Sequence, residues 1–65
     1  MEDLIRPEMP KMMITLLRLI DLRLKEPMTN SNKNLIMNYR TMVKQIMDFN
    51  GMENKDIINR LDKII

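Results

Sequence analysis

Cysteine, histidine and tryptophan are absent from this 65-residue chain, glycine occurs once, at Gly51, and Tyr39 and Phe49 are the only aromatic residues. Each absence removes a class of protein. Without Cys no disulfide can brace the fold, and without Cys or His the usual donors of a zinc site are missing. The same absences take away the most reactive side-chain nucleophile and the commonest general base, which leaves carboxylates, Ser31, threonines and lysines for any catalysis. Ser31 falls in a polar linker, where it reads as a helix cap. Asp48, Glu53 and Asp56 fall near helix ends, where acidic clusters are ordinarily solvated. One glycine cannot build a loop that cradles a phosphate. The composition therefore points to a protein that is not an enzyme, with no catalytic residue, no cofactor, no metal and no small-molecule substrate.

Long apolar runs are missing too. The longest, residues 12–17, is interrupted by Thr15 and stopped by Arg18, far below the ~20 residues that span a bilayer. Glu2, Asp3, Pro7 and Pro10 are the wrong opening for a secretory or transit peptide, so a soluble cytoplasmic protein with no membrane association is expected. Charge of one sign is also lacking: 11 Lys and Arg stand against 9 Asp and Glu. Only the middle of the chain is biased, with Lys33, Arg40 and Lys44 against Asp48. That balance does not by itself argue for nucleic acid. Asn and Ile are frequent, which fits an AT-rich coding genome of the kind found in phages and low-GC bacteria.

What is present is aliphatic and methionine-rich: 45% of residues are hydrophobic and nine are Met. Thioether side chains are flexible and adapt to irregular surfaces. A domain this small buries only about 60% of the surface its unfolded chain exposes, and it usually needs an additional brace. With disulfides and zinc excluded, dimerisation or docking on another protein is the brace that remains.

Helical periodicity divides the chain into one small domain with an arm over residues 1–6 and helices over 7–26, 31–50 and 53–65. Pro7 and Pro10 are expected in the first turn of helix one, where a missing N–H costs nothing. Its apolar arc gathers Met9, Met12, Met13, Leu16, Leu17, Leu19, Ile20 and Leu24, while Ile14 and Leu22 fall on the polar side. A helix greasy on two sides contacts two things. Ser31 or Asn30 is expected to cap helix two, whose inward face is Leu35, Ile36, Tyr39, Met42, Val43, Ile46, Met47 and Phe49. Asn50 and Gly51 end it, with glycine suited to a left-handed cap. Helix three turns Ile57, Ile58, Leu61, Ile64 and Ile65 inward.

Residues 50–61, with a glycine turn, Met52, Ile57 and Ile58, resemble the turn and second helix of a helix-turn-helix; the motif as a whole would run over residues 42–63. That resemblance implies Asn54, Lys55 and Asn59 as groove-facing readers of base edges. The alternation Ile20, Asp21, Leu22, Arg23, Leu24, Lys25 resembles the strand of a ribbon-helix-helix repressor. It implies an obligate dimer with a strand over 20–25.

The expected architecture is an all-α three-helix bundle: a long first helix lies across a hairpin of helices two and three, completed by dimerisation or partner docking. The expected function is protein–protein interaction, as a regulator, inhibitor or adaptor. Leu16, Leu19, Ile20, Leu22 and Met37 are the interface candidates, and Arg18, Arg40 and Lys44 set its charge preference. A DNA-binding transcriptional regulator is the alternative.

Overall fold

Three α-helices follow one another in the computed structural model, which describes residues 1–64: α1 (Lys11–Leu24), α2 (Asn30–Phe49) and α3 (Lys55–Asp62). A single 3₁₀ turn over Glu2–Leu4 precedes them. No strand occurs among the described residues, and the all-α class expected from periodicity stands.

The helix ends follow from local chemistry. The ring of Pro10 disfavours helical backbone at Met9, so α1 cannot run back through residues 7–9. Pro10 is instead the N-cap, and Met9 N donates to Arg6 O at 3.1 Å in a separate turn. The first helix is therefore shorter than 7–26, and α2, with 20 residues, is the long one. Thr29, rather than Ser31 or Asn30, caps α2: its Oγ1 accepts from Asn32 N at 3.1 Å. At the other end Met52 N reaches Met47 O (2.9 Å) and Gly51 N reaches Asp48 O (3.1 Å), with Gly51 at φ +63°. This is the Schellman arrangement that a glycine makes cheap. Asn54 caps α3 by accepting from Ile57 N at 3.1 Å. Helix three ends at Asp62; the expected inward residue Ile65 lies outside the described residues.

Residues 20–24, where alternation resembled a strand, form the last turn of α1, with Lys25 its C-cap. The helical period won because Met13, Leu16, Leu17 and Ile20 bury one continuous stripe, which a strand beginning at residue 20 would split. The strand over 20–25 is thereby corrected.

The closest helix pair is α1 with α2, where the expectation paired helices two and three. They run antiparallel: Asn32 at the start of α2 donates from Nδ2 to Arg23 O at the end of α1 (2.7 Å), while Met12 lies beside Ile46 and Phe49. The short connection over residues 25–29 favours this hairpin. Asn32 is itself buried and also donates to Pro27 O at 3.3 Å, which ties the connection to both helices. The helix α3 closes one side of the layer by inserting Ile57 and Leu61 into a core otherwise made by Met9, Met13, Leu16, Leu17, Ile20, Ile36, Val43 and Met47.

The N-terminal arm supplies the last wall. Met1, Leu4 and Ile5 pack against the core, and charges fix the arm to two helices. The Met1 amino group meets Asp21, Arg18 Nε donates to Glu2 Oε1 at 2.9 Å, and Arg60 on α3 donates to Asp3 Oδ2 at 2.8 Å.

Candidate protein-docking surface

Arm and α3 cover the α1–α2 hairpin from one side, and the opposite side stays open. On that side Met12, Met42, Gln45, Ile46, Phe49 and Asn50 surround a shallow hollow of about 390 Å³. Phe49 is 90% exposed, Met12 61% and Met42 43%. The exposure follows a simple register. On a helix, residues seven apart fall within ~20° of one another, so Met12 and Leu19 share one stripe of α1, and Leu35, Met42 and Phe49 share one stripe of α2. Leu19 and Leu35 are half-buried, which places the stripe at the edge of the core rather than inside it.

The surface carries no formal charge at its centre, because Gln45 and Asn50 are its only polar borders. Lys11 and Asp48 flank it. Lys11 borders the neighbouring cleft with Ile5, Pro7 and Arg18, and Asp48 borders the cleft with Met47, Gly51 and Met52. Both are exposed, and neither forms an ion pair among the described residues.

The interface residues expected from the sequence are dispersed. Leu16 and Ile20 are buried in the chain's own core and are corrected to packing residues, since the arm and the neighbouring helices already satisfy that face. Leu19 is half-buried on the Met12 stripe. Leu22 is exposed, but it lies at the far end of α1 from Met12. Met37 is exposed, yet its five-residue offset turns it about 140° from Met42, onto a different side of α2. In the other direction, Met12, Met42 and Phe49 were expected inward and lie outward, because a hairpin with cover on one side shelters only part of two broad apolar arcs. The seven-residue spacing at 35, 42 and 49 was a signal in the sequence that could have found them.

The cations expected to set charge preference are partly spent inside the chain. Arg18 holds Glu2, and Lys44 Nζ donates to Asp62 Oδ1 at 2.8 Å. Arg40 is half-buried beside that pair. The hydrogen bond from Lys44 holds the Asp62 carboxyl below its ordinary value of 3.8, and the Arg60 hydrogen bond does the same to Asp3 while raising Arg60. Of the DNA-contact candidates, Lys55 and Asn59 are exposed on the eight-residue α3, while the Asn54 carbonyl is committed to its cap. Among the described residues no group of three or more acidic side chains converges as a metal-binding cluster, and no helix is long and apolar enough to cross a membrane.

Comparison with protein-family models, with curated proteins and with solved structures finds no match to this chain.

Proposed function

We propose that this chain is a small non-enzymatic protein-interaction module, a regulator, inhibitor or adaptor that acts by placing the Met12, Met42 and Phe49 face on another protein surface. One observation carries it. Phe49, the only phenylalanine of the chain, stands 90% exposed at the rim of an apolar hollow. Exposed aromatics beside adaptable methionines are typical anchors of protein interfaces. Rigid helices on both sides of the hollow reduce the ordering cost of binding. A role in duplex-DNA binding draws less support, because Asn54 is used as a cap and Lys44 and Arg60 are paired within the chain.

Site-specific photo-crosslinking in cells tests this directly. A benzophenone side chain at position 49 should yield a protein adduct of discrete mass, and the same probe at Lys33, on another side of α2, should not. Absence of adducts at position 49, or equal adducts from both positions, would contradict the assignment.

A further inference from the structure

The exposed face has the pattern of half a four-helix bundle. From this, and resting on the docking function proposed above, we infer that its occupant is a second copy of this chain, related by a two-fold axis that runs parallel to the hairpin. Met12 and Leu19 on α1, and Leu35, Met42 and Phe49 on α2, recur at seven-residue intervals on one side of an antiparallel helix pair. That interval keeps an apolar seam facing a neighbouring helix, and two such layers face to face make a four-helix core.

An isologous contact must be self-complementary, since each residue meets its counterpart's surroundings twice. This face meets that condition in shape and in charge. Phe49 lies on the α2 side of the hollow and Met12 on the α1 side. A two-fold axis along the hairpin exchanges the sides at constant height, so Phe49 of each copy lands on Met12 of the other, a thioether–aromatic pairing. The charges obey the same operation. Lys11 immediately precedes Met12, and Asp48 immediately precedes Phe49. Antiparallel helices turn in opposite senses when viewed from one end, so these two residues fall on opposite outer flanks at the same end of the hairpin. The axis therefore sets Lys11 of one copy against Asp48 of the other on both edges. A perpendicular axis would reverse the height, carry Lys11 and Asp48 of one copy to the far end of the other, and leave both unpaired.

Size fixes the strength. The molecule measures 33 by 19 by 19 Å, so one long face, about 630 Å² in outline, falls short of the ~800 Å² per partner of a standard interface even when all of it is used. The dimer therefore belongs to the transient class, with a Kd on the order of 100 µM.

Sedimentation equilibrium of the full chain from ~10 µM to ~1 mM, together with methionine-methyl NMR over the same dilution, tests the inference; the ranges bracket that Kd. The expected result is a reversible monomer–dimer equilibrium in which the Met12 and Met42 methyls shift with concentration and the Met37 methyl does not. Phe49→Asp should remain folded and weaken dimerisation at least about tenfold. Lys11→Glu and Asp48→Lys should each weaken it by about three- to tenfold, and the double reversal should restore it, because two exposed pairs form per dimer. A monomer throughout the range overturns the second-copy assignment. Crosslinks from position 49 to a different protein would then leave the docking function standing, and their absence would remove both. A dimer in which the double reversal is no better than the worse single variant overturns the orientation.

Discussion

Leu17 and Leu22 lie five positions apart on the same helix, with the same side chain and opposite fates. Leu17 is 0% exposed and Leu22 is 52% exposed. Truncation to alanine removes three carbon groups from each, worth about 0.8 kcal/mol apiece when they are fully sheltered from water. For Leu17 that is about 2.4 kcal/mol, and the cavity left among rigid neighbours adds to it, for a total of about 3–4 kcal/mol. For Leu22 only half the transfer term applies and solvent fills the gap, so the cost is about 1 kcal/mol. A 65-residue domain has a total stability of about 3–10 kcal/mol, so Leu17→Ala consumes a large part of it and lowers Tm by more than about 12 °C. Urea denaturation followed by far-ultraviolet circular dichroism, at equal m-values, measures both variants. Equal losses at the two positions would refute the burial assignment, because Leu22 would then be covered by something in solution. A loss at Leu17 below about 1 kcal/mol would show that the chain does not close its core as described.

Other outcomes follow from single contacts. Asn54→Ala removes the α3 cap and should cost about 1 kcal/mol in the same urea assay, with Thr29→Ala similar at α2; no change at either would contradict the cap geometry. Asn32→Ala strips the Arg23 and Pro27 carbonyls of their side-chain donor and should cost about 1–3 kcal/mol, more than any neighbouring surface substitution in the first turn of α2. The Asp3 and Asp62 carboxyls lie below 3.8 when folded, so their contribution is complete above that value and is lost as pH falls through the lower folded values. Methyl spectra of Leu4 and Ile5 recorded during acid titration should report loosening of the arm in that window. Asp3→Asn should remove the part that belongs to Asp3, and an unchanged titration in that variant would exclude the Arg60 contact as its source.

The helices were legible because their signals are local. Periodicity placed all three, and the chemistry of Asn50 and Gly51 located the end of α2 to within a residue or two. Proline misled where its missing N–H was weighed without its effect on the preceding residue, so helix one was expected from residue 7 and begins at Lys11. Caps also compete locally: Thr29, Asn30 and Ser31 are all suitable by type, and only the backbone path after Pro27 selects Thr29. The surface was less legible because it depends on which sides of the arcs gain cover. Periodicity gathers Leu16 and Met12 on one arc, but Leu16 falls inside the core shared by the three helices while Met12 is left in solvent. The arm's wall rests on pairs such as Asp3 with Arg60, 57 residues apart, and no local pattern announces them.

Nine methionines spread over the core, the open face and other parts of the surface provide a residue-by-residue gauge of this arrangement. Dilute native chain, at about 5 µM, where a transient dimer is dissociated, would be exposed briefly to peroxide and each methionine quantified by peptide mapping, since oxidation follows solvent access. Met12, Met28, Met37 and Met42 should oxidise readily, while Met9, Met13 and Met47 remain protected until the chain unfolds. Oxidation of Met13 at the rate of Met12, or protection of Met12 and Met42 in the monomer, would contradict a self-closed core with one uncovered apolar face.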